Sequence, residues 1–193
     1  MKIDCPIGAT PLDPDEMADL IPSHLRVQSE LNEWEEANIL KAHLWLAQKN
    51  RLFSLRTDFC KQLHLQMFNE TWKWAGQFRR SDKNIGVDWR NIQVGLHNLF
   101  QDVEAQIRYQ SFGLEEMAAR FHHRLVLIHA FPNGNGRHAR LMTDLFLKVH
   151  QAKPFSWGAT NLTGMSKVRE AYIQALQTAD KHDYQHLLNF VRS

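Results

Sequence analysis

The chain has 193 residues, 44% of them hydrophobic and 23% charged, which is ordinary for a globular protein. Two cysteines are too few for a disulfide framework, and a formal net charge of +2 gives no general case for nucleic-acid binding. The sequence does not open on a signal-peptide core and has no apolar stretch near the ~20 residues of a membrane helix, so we expect a cytoplasmic protein without a membrane partner.

Three helices are predicted in the first third of the chain. Asp13 and Pro14 predict the start of a short helix that ends before Pro22. Residues 29–49 predict a longer helix with one apolar stripe as its packing face. The residues of this stripe are Leu31, Trp34, Ala37, Leu40 and Leu44. A third helix is predicted to start at Thr57, a plausible cap.

The helical pattern then fails over about a dozen residues. Residues 77–80 and 84–87 are predicted to pair as a small β-hairpin, with a plain structural loop as the alternative. The free edge of a hairpin would bind an extended stretch of a target protein through main-chain hydrogen bonds. Lys83, Ile85 and Gly86 are then the predicted docking residues.

Apolar residues at helical spacing predict four further helices, and residues 184–191 a last one. The apolar positions of the four are Ile92, Leu96, Leu99, Val103 and Ile107, then Met117, Phe121, Leu125 and Ile128, then Leu141, Leu145 and Val149, then Val168, Tyr172, Ala175 and Ala179. The predicted fold class is all-α, a helical bundle with a small β-hairpin, in a single domain over residues 1–193.

Residues 129–140 concentrate the candidate chemistry, reading His-Ala-Phe-Pro-Asn-Gly-Asn-Gly-Arg-His-Ala-Arg. Gly134 and Gly136 permit positive φ and let backbone N–H groups approach a ligand closely. A helix is expected to start near Gly136, and a helix N-terminus attracts anions because its first N–H groups are unpaired and its dipole is positive there. Arg137 and Arg140, three residues apart, suit phosphate oxygens. The segment predicts a polyphosphate cradle.

His129 lies just before this cradle and is the candidate general base. Imidazole titrates near working pH, so it could take the proton of an attacking hydroxyl. The alternative is a histidine that merely ends its helix. Phe131 is predicted to anchor the loop in the core. The segment is not a P-loop, which needs a lysine and a hydroxyl residue after its last glycine, nor a Rossmann turn, because a helix precedes it.

This run resembles the signature of the Fic (filamentation induced by cAMP) family, His-x-Phe-x-Asp/Glu-Gly-Asn-Gly-Arg-x-x-Arg. Every fixed position matches except Asn133, where Asp or Glu is usual. Residues 74–79 resemble the family's Trp-Ala-Gly segment before its flap. Residues 8–13 and 32–39 are similar to the bacterial subgroup called mobile mystery protein B.

The resemblance implies a protein adenylyltransferase, which moves AMP from ATP to a hydroxyl side chain of a target protein in the bacterial cytoplasm. One Fic domain would fill residues 1–193. Within it, residues 1–50 would be an N-terminal extension with an inhibitory helix, and residues 51–193 the Fic core.

The family's pattern, carried over position by position, makes His129 the base and assigns ligand contacts to the cradle. Gly134, Asn135 and Gly136 would donate hydrogen bonds to the phosphates. Arg137 and Arg140 would hold the β- and γ-phosphates of ATP.

Asn133 stands at the position that holds Mg²⁺ in the family. Mg²⁺ prefers charged oxygens, so an amide oxygen is a weaker ligand. We expect retained activity with a weakened metal site. The alternatives are that ATP and water hold most of the metal, that activity is slow, or that nucleotide binds without transfer.

Many Fic proteins carry an inhibitory helix, Ser/Thr-x-x-x-Glu-Gly/Asn, whose glutamate pairs with the second motif arginine. The nearest register here runs from Asn32 to Glu36, which makes Glu36 the predicted inhibitory residue and Arg140 its partner. A rival register ends at Glu33. An acidic face on an exposed helix is an equal alternative.

Two other functions stay open. Doc-like relatives phosphorylate their target but carry Ala and Lys where this chain has Gly134 and Gly136, which favours AMP transfer. A non-catalytic module that binds nucleotide or a partner is supported by Asn133. The subgroup resemblance also implies the toxin of a toxin–antitoxin pair, with a helix-turn-helix partner called mobile mystery protein A. No direct nucleic-acid binding by this chain is expected.

Overall fold

The computed structural model describes residues 12–48, 53–159 and 165–193. Eight α-helices lie in these ranges: α1 (Pro14–Ala18), α2 (Gln28–Gln48), α3 (Thr57–Phe68), α4 (Ile92–Tyr109), α5 (Leu114–Ile128), α6 (Asn135–Val149), α7 (Met165–Ala179) and α8 (Gln185–Val191). A 3-10 turn, Trp89–Asn91, precedes α4. The extended pairing found within these ranges is one isolated bridge between Leu20 and Trp72. The all-α prediction is confirmed.

α5 is the central helix and packs against α4, α6 and α8. α3 packs on α6, α2 covers α3, and α7 pairs with α8. Helical apolar spacing explains this order, since the predicted positions Ile92, Leu96, Leu99 and Val103 are all buried in α4. The stack brings the end of α5, the start of α6 and the inner face of α3 together. No helix in the described ranges is both long and apolar enough to cross a membrane.

α2 buries a different face from the predicted one. Its buried residues are Leu31, Glu35, Asn38 and Ala42. Only Leu31 of the predicted stripe is buried, whereas Leu40 and Leu44 are 62% and 56% exposed. The physical reason is polar docking, for example the Asn38 amide oxygen that accepts from the Glu70 N–H at 2.9 Å. Apolar spacing cannot show a face held by such bonds. The predicted helix end at residue 49 lies outside the described residues.

Residues 77–88 form an irregular loop, so the predicted β-hairpin is wrong. The Arg79 guanidinium donates to the carbonyl oxygens of Ser81 (2.8 Å), Val87 and His129 (2.6 Å). The buried Arg79 side chain therefore occupies backbone carbonyl oxygens that would otherwise accept hydrogen bonds between the two strands of a hairpin. We call this segment the 77–88 loop. It lies against the C-terminal end of α5, where the candidate base is found.

Candidate active site

His129 terminates α5 in a left-handed conformation, with φ +52°. Such a conformation is unfavourable for a residue with a Cβ and persists only where neighbours hold it. Two neighbours do so here. Arg79 donates to the His129 carbonyl oxygen, and the His129 N–H donates to Leu125 O at 3.2 Å. The 77–88 loop therefore fixes the backbone that carries the candidate base.

The imidazole of His129 is buried and neutral at neutral pH. Burial lowers its pKa to about 4, and the positive charges of Arg79 and Lys83 act in the same direction. A hydrogen bond with the backbone at Val126 opposes the shift. A neutral imidazole can accept a proton, which is the state that a general base requires.

The loop between α5 and α6 is braced by its own side chains. The Asn135 amide accepts from the Phe131 N–H at 2.9 Å and donates to Phe131 O at 2.7 Å. The Phe131 ring stacks on His64 with 3.7 Å between centroids, which confirms its predicted burial. His64 also bonds Asn133 O at 3.1 Å. The Asn135 side-chain amide is therefore committed to bracing the loop.

The two motif glycines have different reasons to be glycine. Gly134 has φ +76°, and a Cβ there would lie 2.5 Å from the Phe68 ring. Gly134 is therefore required by the fold itself. Among the residues that the structure describes, a Cβ on Gly136 would meet only the Tyr172 hydroxyl, at 4.0 Å. Packing against the described residues does not explain Gly136. The space beside it lies at the start of α6, where the amide groups of the first turn have no intrahelical acceptor.

Arg137 reaches from α6 to α2, where its Nη1 donates to Glu35 Oε2 at 2.7 Å. The other oxygen of Glu35 accepts from Trp72 Nε1 at 2.7 Å, and the Glu35 side chain is 7% exposed. Glu36, the predicted inhibitory residue, lies on the exposed side of α2. The contact observed therefore lies one residue from the predicted register, because Glu35 is the acid that faces the motif.

Arg140 contacts a second set of partners. Its guanidinium lies over the rings of Tyr172 (4.7 Å) and Trp157 (5.6 Å). The Tyr172 hydroxyl bonds His122 Nε2 at 2.9 Å, and burial raises the pKa of Tyr172 to about 12. The two motif arginines thus leave α6 towards different elements, Arg137 towards α2 and Arg140 towards α7.

The described residues do not form a site that would hold Mg²⁺ by themselves. The amide oxygen of Asn133 accepts from the Gly134 N–H at 2.5 Å, so it is engaged within the loop. Among the residues that the structure describes, no group of three His, Cys, Asp or Glu side chains is placed to hold a metal ion. A metal here would depend on the oxygens of its ligand.

The predicted docking residues have unlike surroundings. The Lys83 side chain is 3% exposed and bonds Asp13 (2.8 Å) and Glu16 (2.6 Å), so it is already engaged, and its docking role stays a prediction. Ile85 is exposed. Gly86 has φ +111°, and a Cβ there would lie 2.8 Å from both His129 Cβ and Arg79 Nη2. Gly86 thus allows the loop to press against the candidate base.

Sequence reasoning missed the site roles of Arg79, Glu35 and Tyr172. Arg79 stands in the resemblance at residues 74–79, but nothing local shows that its guanidinium is buried against α5. Glu35 differs from Glu36 only in the face of α2 that it occupies. Tyr172 has the spacing of an ordinary core residue, and its hydroxyl becomes relevant only once α7 is placed beside α6.

Known proteins share this arrangement of helices. Residues 54–147, which span α3 to α6, match the family model described as the Fic/DOC family. This part of the chain, just under half of its length, is therefore similar to Fic/DOC domains. The assignment to the mobile mystery protein B subgroup and the boundary at residue 50 stay predictions.

Solved structures of similar fold include the N-terminal FIC domain of Bep8 from Bartonella sp. 1-1C, with 17% identity, 89% of each chain covered and a TM-score of 0.70. BepC from Bartonella tribocorum, with bound AMPPNP, has 15% identity, covers 93% of this chain and 97% of its own, and scores 0.68. Fic-1 from C. elegans has 21% identity, covers 92% of this chain and 51% of its own, and scores 0.70. The Fic-type helical bundle is confirmed, without the hairpin flap.

Proposed function

We propose that this protein transfers AMP from ATP to a hydroxyl side chain of a protein. The observation that carries the proposal is a neutral, buried imidazole at the end of α5, followed by a glycine-built helix start between two guanidinium groups. The BepC structure with bound AMPPNP and a Bartonella quintana Fic domain with bound ADP support a nucleotide in this fold.

In this reaction the hydroxyl oxygen of the acceptor attacks the α-phosphorus of ATP. The bond between that phosphorus and the bridging oxygen breaks, pyrophosphate leaves, and the acceptor proton passes to the neutral imidazole of His129. Negative charge grows on the leaving pyrophosphate. Arg137, Arg140 and the first-turn amides of α6 are the groups that would stabilise it.

The open space at Gly136 supports this assignment. A residue that neither its φ nor its packing requires to be glycine is explained by a ligand that approaches its backbone. Tyr172 would line the same space, because its hydroxyl is the nearest described group to a Cβ on Gly136 and its ring lies against the Arg140 guanidinium.

Glu35 is the residue that we infer to hold the protein in a restrained state. Its carboxylate occupies Arg137, a guanidinium that the proposed reaction needs for a phosphate. A buried carboxylate bonded to the half-exposed Arg137 competes with an incoming anion for the same donor. In this proposal Glu35 takes the inhibitory role that the sequence assigned to Glu36. Its partner is Arg137 in place of Arg140.

Intact-mass spectrometry after incubation with Mg²⁺ and ATP tests the activity. Addition of AMP to the chain or to a lysate protein is expected for the native protein and is expected to disappear in His129→Ala. Addition of a phosphoryl group would instead support kinase chemistry. No covalent change, together with measurable ATP binding, would support a binding module, the second candidate, which the engaged amide of Asn133 favours.

A matched pair of variants tests the restraint. In Glu35→Gln the amide oxygen can still accept from Trp72, but Arg137 loses its ionic partner. We expect tighter ATP binding and more AMP transfer than in the native protein. Glu36→Gln, on the exposed side of the same helix, should change neither quantity. Equal behaviour of the two variants would contradict the role of Glu35.

A further inference from the structure

The second arginine of the motif, Arg140, is held by aromatic rings and not by an acid. Its guanidinium lies over the rings of Tyr172 and Trp157. Among the residues that the structure describes, Arg137 pairs with Glu35, whereas no ion pair of Arg140 is found. An aromatic ring attracts a guanidinium through its electron-rich face and does not take the bidentate N–H donors that a carboxylate or phosphate would take.

An acid that could pair with Arg140 lies one turn further along α6. Asp144 follows Arg140 by four residues, and residues at this spacing are neighbours on the surface of a helix. Burial raises the pKa of Asp144, and the positive charge of Arg140 is among the effects that oppose this rise, so the two charges lie near each other. Both residues belong to the described part of the chain, and the lack of an ion pair between such neighbours needs an explanation.

The Asp144 carboxylate is occupied by the segment that follows α6. Trp157 Nε1 donates to Asp144 Oδ1 at 3.1 Å and to Oδ2 at 3.0 Å. The Phe155 N–H also donates to Oδ1, at 3.2 Å. Each oxygen of the acid therefore has a donor in residues 155–157, and the carboxylate is held by these residues instead of by Arg140.

The backbone of Trp157 has an unfavourable conformation that its neighbours maintain. Its φ of +55° is left-handed, which a residue with a Cβ rarely adopts. The N–H groups of Ser156 and Trp157 both donate to Val191 O, at 2.9 and 3.3 Å. The Trp157 side chain held in this way binds Asp144 through its N–H group and contacts Arg140 through its ring.

We propose that Trp157 and Asp144 are positioning residues of the nucleotide site. Trp157 keeps the carboxylate of Asp144 away from Arg140, so that the guanidinium remains available to a phosphate of the bound nucleotide. A carboxylate and a phosphate compete for the same bidentate donors, and a pair between Asp144 and Arg140 would therefore weaken nucleotide binding. The inference rests on the proposed function, because it gives Arg140 a phosphate as its ligand.

Substitutions at the two positions test this role through a rescue. In Trp157→Phe a ring remains, but Asp144 keeps only the Phe155 donor and can pair with Arg140. Calorimetry uses an ATP analogue with a methylene group in the α–β bridge, which cannot transfer AMP. Its dissociation constant should rise about five-fold, which is the most that a partly exposed ion pair contributes. The double variant Trp157→Phe/Asp144→Asn has no competing acid and should return towards the native affinity.

A purely structural role of Trp157 predicts a different order of affinities. The double variant still lacks the indole N–H, so a structural role would leave its affinity as low as that of Trp157→Phe. Equal affinities of the single and the double variant would therefore overturn the proposal. Trp34→Phe removes an Nε1 bond of the same kind, to Glu70 O at 3.2 Å, and is the matched control. It should bind the analogue as the native chain does.

Crystal structures of the variants without nucleotide separate this proposal from the proposed function. Arg140 should contact Asp144 in Trp157→Phe, and should lie over the Tyr172 ring in the double variant. An Arg140 that stays over Tyr172 and away from Asp144 in Trp157→Phe would overturn the positioning role. A native chain that does not bind the analogue would instead contradict the proposed function, whereas the contact of Arg140 in these structures would still decide whether Trp157 keeps the two charges apart.

Discussion

The two segments that frame His129 are held by opposite means. The loop before α6 is braced by neighbours in sequence, above all the Asn135 amide on the Phe131 backbone. The 77–88 loop is held by two cations, Arg79 on the end of α5 and Lys83 on the acids at the start of α1, Asp13 and Glu16. The first segment can be recognised from its own residues, whereas the second depends on what the fold brings to it.

Lowering the pH should destabilise residues 129–135 before it destabilises the 77–88 loop, and this is the largest effect that we expect. Burial lowers the pKa of His129 and His138 to about 4 and that of His122 to about 3. Below the ordinary histidine pKa of about 6.5, the unfolded chain binds protons that the folded chain does not, so the free energy of unfolding falls as pH falls from about 6.5 towards 4, by about 1.4 kcal/mol for each pKa unit of each histidine.

Urea unfolding at several pH values in that window measures this loss, which should total several kcal/mol. Hydrogen exchange should show the amides of residues 129–135 losing protection first. A free energy of unfolding that stays constant across the window would contradict the burial of these neutral imidazoles.

Arg79→Met should break the 77–88 loop. The carbonyl oxygens of Ser81, Val87 and His129 would lose their donor, so we expect a loss of about 3 kcal/mol or more in urea unfolding. The pKa of His129, followed by NMR titration, should rise because a neighbouring positive charge is gone.

Arg79→Lys is the control that keeps the charge and loses the planar fork. It should destabilise the protein while leaving the pKa of His129 closer to its native value than Arg79→Met does. Equal His129 titrations in the two variants would show that the charge of Arg79 does not act on the imidazole.

Substitutions at the two motif glycines should have different effects, one on folding stability and the other on ligand binding. In Gly134→Ala the residue would be strained by its left-handed φ, and its Cβ would clash with the Phe68 ring. The substitution should therefore cost about 2–3 kcal/mol of folding stability. Gly136→Ala should leave stability unchanged or raise it by up to about 1 kcal/mol, because alanine is the better helix former. Calorimetry with ATP should nevertheless show weaker binding by Gly136→Ala. If that variant bound ATP with native affinity, the space beside Gly136 would not be part of the ATP site.

Lys83→Met should have the smallest effect, about 1 kcal/mol, because its two acidic partners are partly exposed to water. The change should appear as faster proteolysis within the 77–88 loop, with the residues before α6 unaffected. Lys41→Met, which removes a surface ion pair with Glu70, is the control and should leave proteolysis of the loop at the native rate.

The sequence predicted the helices from α4 onwards because their apolar residues recur with a single period, as Ile92 to Val103 show. It also predicted the glycine turn, whose constraints lie within a few residues. It failed at α2, where apolar residues occupy both sides of the helix and only the contacts of Asn38 and Glu35 decide which side is buried. It failed at the 77–88 loop because the bonds of Arg79 join residues 50 apart in the chain.

Glu35 divides its two oxygens between the core and the site, one on Trp72 and one on Arg137. Only the second bond has to break for Arg137 to reach a phosphate, so α2 can stay docked while the guanidinium changes partner. Exchange of a half-exposed arginine between two acceptors is a rotamer motion of picoseconds to nanoseconds, whereas undocking a helix takes microseconds or longer. Release of Arg137 would then be faster than any step of nucleotide exchange, and the carboxylate would act on equilibrium affinity rather than as a slow gate.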